Sequence, residues 1–176
     1  MAEVVGILAS VAALMQLASY GKKSARALYQ FSQHAGISKA DVERCANHLR
    51  TFSLAVRMAH ETLREYSEDS SASSVFDFIS SKQVLRAISI DSNSLKTRLS
   101  LAIKRFRNIS KDGLTPVAFV KWWLHKDAII TLFPEMERIK TSLTLIIVTI
   151  QLKLVFTNIE KASSNSLVIE KLGQKM

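Results

Sequence analysis

The stretch that most restricts the fold lies in the first half of the chain. From Val42 to Tyr66, apolar residues recur at Val42, Cys45, Leu49, Phe52, Val56, Ala59, Leu63 and Tyr66, in steps that alternate between three and four. A seven-residue repeat held over more than three heptads predicts an α-helix whose apolar stripe is buried against other helices. Its neighbours are expected to lie nearly antiparallel, at the small crossing angle of a left-handed bundle. Composition supports this. Five Gly and two Pro in 176 residues are too few for the closely spaced turns of an all-β or α/β fold. A hydrophobic content of 48% is enough for a substantial core. The expectation is an all-α, single-domain bundle of about five helices, mostly antiparallel, over residues 1–162. Residues 163–176 begin SSNS and read as a C-terminal tail or linker.

The chain opens on an apolar run from Val4 to Tyr20, with no charge between Glu3 and Lys22. As a helix this run covers roughly 27 Å, close to the thickness of a bilayer core. The stripe Val4, Ile7, Val11, Leu14, Ala18, Gly21, Ala25 and Leu28 carries the helical period past the cations to about Phe31. Gly6 and Ser10, and Ala9 and Ala13, stand four apart and permit close helix approach. The heptad helix and the apolar stretch after Met136 offer surfaces to pack against, so this helix is expected to be central and buried at rest. Membrane insertion is then a conditional second state. Val4, Val5, Ile7, Leu8, Val11, Leu14, Met15 and Leu17 are the residues that would enter the membrane. Lys22, Lys23 and Arg26 are those that would meet lipid phosphates.

A secretory signal carries positive charge before its apolar run, whereas here Glu3 precedes and the cations follow. The lone Cys45 excludes an internal disulfide and fits a reducing compartment. The expected location is cytoplasmic, with association to a membrane in the second state.

Further along, Ser38 with Asp41 and Ser74 with Asp77 offer helix N-caps, separated by the polar loop Ser67 to Ser74. Leu85 and Ile88 begin a period that Asp91, Ser92 and Asn93 interrupt and Leu95, Leu99, Ala102, Phe106 and Ile109 resume. Either a break near Asp91 or a long helix with a solvated middle is expected, the break suiting a short helix followed by a longer one. Asp112 and Gly113 close this region, and Thr115 with Pro116 opens another helix, from which Phe119, Val120, Trp123, Ile130 and Phe133 can face inward. Trp122 and Trp123 cannot both enter one narrow stripe, so one of them should cover a helix end or else sit at a membrane interface. Pro134 predicts a break or kink near Thr131. Met136 to Ile159 reads as a helix buried on several sides, its uncharged core Thr141 to Leu152 too short to span a membrane.

The chain carries 24 Lys and Arg against 15 Asp and Glu, a net charge of +9. Such a surplus suits phosphates of either nucleic acid or an anionic membrane. Lys96 to Lys111 contains six cations and no carboxylate before Asp112, but the one aromatic among them, Phe106, falls on the apolar stripe. The run therefore reads as a solvated helix face, and nucleic acid is not the expected partner. His34, His48, His60 and His125 are scattered without metal-ligand spacing. No phosphate-cradling glycine loop and no nucleophile elbow occurs. No catalytic, cofactor-binding or metal site is expected, and the protein reads as non-enzymatic.

Three stretches share a resemblance. The opening Ala2-Glu3-Val4-Val5-Gly6-Ile7-Leu8-Ala9-Ser10-Val11 resembles the start of the fungal HeLo-like N-terminal domains found on NACHT, ankyrin-repeat and other STAND-type signalling proteins. Phe52, Leu54, Met58-Ala59-His60 and Leu63 look like that family's second helix. Trp123-Leu124, Lys126, Pro134, Met136-Glu137 and Lys140 to Leu145 are similar to its last long helix. The N-terminal domain of a fungal azaphilone pigment-cluster protein shares the broad resemblance. Together these stretches span most of the chain, and they are core-pattern residues in order and spacing. The resemblance implies a signalling or cell-death-execution bundle, with a homo-oligomer or a STAND-type signalling partner. In HeLo-type relatives the N-terminal helix is released on oligomerisation and targets an anionic membrane. Other HeLo-like members serve as association modules, which implies the alternative of a soluble adaptor. The 176 residues depart from the family pattern in containing no nucleotide-binding or ankyrin region, which implies either a stand-alone member or an isolated domain.

Overall fold

The computed structural model describes residues 2–35, 39–68, 84–109, 120 and 122–173. All secondary structure among them is helical. The described residues include four long helices, α1 (Ala2–Ala35), α2 (Lys39–Glu68), α3 (Val84–Ile109) and α5 (Phe133–Gly173), and a single helical turn that precedes α5, α4 (Asp127–Ile130). The expected caps at Ser38 and Ser74, the loop beyond Glu68, the closure at Asp112 and Gly113, the opening at Thr115 and Pro116, and Phe119 lie outside the described residues.

α1 packs on α2 and α3, and α5 packs on α2 and α3 from the other side, so the four helices form a ring in the order α1, α2, α5, α3. α1 makes the most extensive of these contacts, with α2 and α3 on either side of it. Ser53 on α2 donates to the Ala18 carbonyl on α1 at 2.5 Å, and Tyr29 donates to Asn47 Oδ1 at 3.3 Å, which makes α1 and α2 antiparallel. Ion pairs of Arg98 with Glu135 and of Arg138 with Asp91, the latter at 3.0 Å, make α3 and α5 antiparallel. α2 and α5 run the same way: His48 stacks on Phe133 at 4.0 Å between centroids, and a shallow cleft farther along brings Met58 beside Leu143. Antiparallel neighbours thus alternate with parallel ones, with α2 and α3 at opposite corners of the ring.

The core follows the heptads. Every stripe position from Val42 to Leu63 on α2 is buried, and Tyr66 packs against the cluster. On α1, Leu14, Ala18, Gly21, Ala25, Leu28 and Phe31 are buried, as the period predicts, and Leu17 joins them. Gly21 is a point of close approach: a Cβ there would stand 3.1 Å from Ser53 Cβ and 3.6 Å from the Leu49 carbonyl oxygen. This contact, beyond the Gly6 to Ala13 segment singled out by spacing, is where small side chains bring α1 and α2 together.

Of the two forms expected for α3, the long helix is found. It runs unbroken through Asp91-Ser92-Asn93, and Ser92 is buried between Ile88 and Leu95. Leu85, Ile88, Ser92, Leu95, Leu99 and Ala102 keep one continuous heptad stripe, with a serine in an apolar slot. Asp91 pairs with Arg138, which gives a reason for its place on the flank.

The turn before α5 follows from Pro134. Without an N–H, Pro134 cannot bond the Ile130 carbonyl, and the backbone instead tightens as the Leu132 amide bonds the Ile129 carbonyl at 3.0 Å. Just upstream, the two tryptophans part company in the sense opposite to that expected: Trp122 is 3% exposed and lies 6.1 Å from the Phe31 ring near the end of α1, while Trp123 is 62% exposed. Val120 and Ile130 are likewise exposed, and Phe133 packs on the core.

α5 is buried on one side only, through Met136, Ile139, Leu143, Ile146 and Ile150. Leu145, Val148, Leu152, Val155, Phe156 and Ile159 are exposed, so burial on several sides is not found. The helix also continues through the serine-rich segment to Gly173.

Candidate membrane-binding surface

The apolar residues proposed to enter a membrane are divided by the fold. Leu14 and Leu17 lie in the core, whereas Met15 on the same turn is exposed. Val4, Val5, Ile7, Leu8 and Val11 belong to α1, but their side chains lie outside the described residues.

The three cations that follow are all exposed and face two directions. Lys22 and Arg26, one helical turn apart, line a groove of about 470 Å³ between α1 and α2. Lys23, turned about 100° away by the helical repeat, lies 5.7 Å from the centre of the Tyr20 ring. The groove adds two cations that the sequence reading did not single out, Arg50 and Arg57 of α2. Its floor is apolar, made by Ala25, the Tyr29 ring and Leu54, which is 58% exposed. The sequence signal for the added pair was present. Arg50 and Arg57 are seven residues apart and so share a face, with Leu54 between them.

Arg57 Nε bonds Glu61 Oε1 at 2.8 Å, and this bond holds the Glu61 carboxyl below its ordinary pKa. Among the described residues no ion pair engages Lys22, Arg26 or Arg50. The groove therefore presents more positive charge than its one paired carboxylate offsets. Guanidinium groups suit phosphate oxygens because their planar fork can donate two parallel hydrogen bonds.

The basic run on α3 is partly taken up by structure. Lys96 donates to Gln16 Oε1 at 2.8 Å and Arg98 pairs with Glu135, leaving Lys104 and Arg105 as exposed charges on a helix face. The remaining cations of that run lie where side chains are not described.

His48, His60 and Cys45 lie apart from the groove residues. His48 stacks on Phe133, with Nε2 3.5 Å from Glu137 Oε1, and Glu137 is also paired with Lys140. Burial, reinforced by the nearby Arg64 charge, lowers the His60 pKa. The Cys45 thiol is buried, and desolvation followed by the Asp41 charge raises its pKa, which makes it an unreactive core residue. Among the described residues no group of three or more His, Cys, Asp or Glu side chains is placed to hold a metal.

α5 contributes a different surface. Trp122–Glu160 contains a helical stretch long and apolar enough to cross a membrane. Thr141 to Ile159 is interrupted by one charge, Lys153, so the apolar length exceeds the twelve uncharged residues counted from sequence. Only 17% of its most apolar window is buried, which separates α5 from an ordinary enclosed core helix. Comparisons of the chain with family models, with curated proteins and with solved structures gave no match.

Proposed function

We propose that this chain is a non-enzymatic signalling-type helical bundle that docks on anionic membrane surfaces. The observation that carries the reading is the α1/α2 groove, where Lys22, Arg26, Arg50 and Arg57 surround an exposed leucine. Cations beside an accessible apolar side chain match the two layers of a membrane surface, phosphates outside and acyl chains beneath. Each cation near such a surface adds about 1 kcal/mol of attraction. The sequence resemblance to fungal HeLo-like domains supports the same reading. It also supplies the second state, in which the apolar start of α1 inserts after oligomerisation.

Vesicle sedimentation tests the docking step. The full chain should pellet with phosphatidylcholine vesicles containing phosphatidylserine and stay in solution with phosphatidylcholine alone, and added salt should weaken the binding. Arg26→Gln with Arg50→Gln should reduce binding roughly thirtyfold, as expected for two cations at about 1 kcal/mol each. Equal sedimentation of wild type and variant would refute the groove as the docking surface. Removing residues 2–20 is a poor substitute, because Leu14 and Leu17 would leave the core with them.

A second reading, a soluble adaptor that works through protein contacts alone, is favoured by the exposed stripe of α5. Absence of vesicle binding at low salt, with a defined oligomer by light scattering, would support it.

A further inference from the structure

Leu145, Val148, Leu152, Val155 and Ile159 follow steps of three, four, three and four along the outer face of α5, with Phe156 beside them. Each is between 43% and 62% exposed. The stripe lies opposite Met136, Ile139, Leu143, Ile146 and Ile150, which face the bundle. α5 thus carries two apolar seams, one occupied within the chain and one open. A sustained 3,4 spacing is the pattern that lets one helix seat its side chains between those of another.

We propose that this outer seam is a self-association surface on which a second copy of the chain docks, α5 against α5. Three observations select that occupant. The first is area: the six side chains expose roughly 600 Å², at the top of the range for patches on monomers and near the approximately 800 Å² per partner of a stable interface. The second is charge. Each copy carries +9, so self-association requires a contact where cations do not face each other. The residues that flank the seam, Thr144, Thr149, Gln151 and Asn158, are uncharged, and Lys153 lies to one side of it. An acidic partner protein would find no cation row here to recognise.

The third observation is polar satisfaction. Thr144 and Thr149 donate their hydroxyls to the carbonyls of Lys140 and Leu145, at 3.0 and 2.8 Å, so closing the seam strands neither group. A membrane-spanning role for the same helix fits less well. Lys153 would stand within one turn of the middle of the Thr141 to Ile159 span, where charge is strongly disfavoured. The inner seam would also have to leave the bundle. Pairing of two copies leaves Lys153 in water and the bundle intact. This inference is independent of lipid docking, since the α1/α2 groove shares no residue with the seam.

Sedimentation equilibrium of the full chain without detergent tests it. Wild type should show a mass of two chains that dissociates on dilution. Leu152→Glu with Val155→Glu should weaken association at least roughly thirtyfold, as for loss of a central apolar anchor. The helix signal and unfolding temperature of the monomer should persist, because both side chains face solvent there. Lys153→Glu should leave the dimer in place. If the double variant misfolds, Leu152→Gln makes the same comparison with a neutral side chain. A wild type that stays monomeric overturns the proposal. So does a dimer indifferent to these seam substitutions, or a seam that is used only to bind vesicles.

Discussion

At Gly21 the packing of α1 on α2 depends on a missing methyl group. A Cβ would fall 3.1 Å from Ser53 Cβ, closer than side chains ordinarily sit, and the Ser53 hydroxyl is held in place by its bond to the Ala18 carbonyl. Gly21→Val should therefore destabilise the fold by about 1 to 3 kcal/mol, measured by urea denaturation, since it both overfills the crossing and stiffens the helix. Gly21→Ala should cost less, because the gain in helix propensity of about 1 kcal/mol offsets part of the clash. Restoration of stability in Gly21→Val by Ser53→Gly would identify the contact; its absence would assign the loss to the helix itself. The period of α1 was enough to place Gly21 on the buried stripe. It could not indicate that Ser53 faces it, because one helix's pattern carries no information on its partner's register. Arg50 and Arg57 escaped notice for the same reason: a cation on one helix becomes part of a groove only when Lys22 and Arg26 of another helix are set beside it.

At the scale of the helix, the heptads of α1 and α2 could be read almost residue by residue, since an unbroken apolar stripe admits one buried face. α3 shows where such reading fails. Asp91-Ser92-Asn93 resembles a loop in composition, yet the helix continues because Ser92 occupies a core slot and Asp91 reaches Arg138 on α5. Local preference yields there to tertiary packing. The Ser92 hydroxyl is buried with no hydrogen-bond partner among the described residues. Ser92→Ala removes an unsatisfied polar atom and adds helix propensity, so it should raise stability by about 1 kcal/mol. A loss of stability in thermal unfolding would show that the hydroxyl is satisfied in solution. α5 fails in the other direction. Its apolar content suggested enclosure on several sides, but the bundle offers it only one contact seam, and hydrophobicity alone does not say how many neighbours a helix has.

For the molecule as a whole, the question is whether α1 can leave the bundle while the rest remains folded. Leu14, Leu17, Leu28 and Phe31 are all nearly or fully buried, and each contributes about 1.5 to 3 kcal/mol by burial. Their sum, roughly 6 to 12 kcal/mol, is as large as the whole stability of an ordinary domain, about 5 to 15 kcal/mol. Release of α1 would also uncover part of the buried stripe of α2 around Leu49, Phe52 and Val56. In water, therefore, α1 should not open separately. Native-state hydrogen exchange should give amides from Leu14 to Leu28 the same opening free energy as those from Leu49 to Leu63, both equal to global unfolding. Faster exchange confined to α1 would contradict this and make the helix an independently detachable unit. A membrane changes the balance only if it supplies new burial for α1 comparable to what the core loses. If insertion is the second state, anionic vesicles should then speed exchange along the stripes of α2 and α3 that α1 covers, while α5, which α1 does not cover, keeps its protection. Docking through the α1/α2 groove without insertion would slow exchange near Arg50 and Arg57 and leave the α2 core unchanged, so the same measurement separates attachment at the surface from entry into the bilayer.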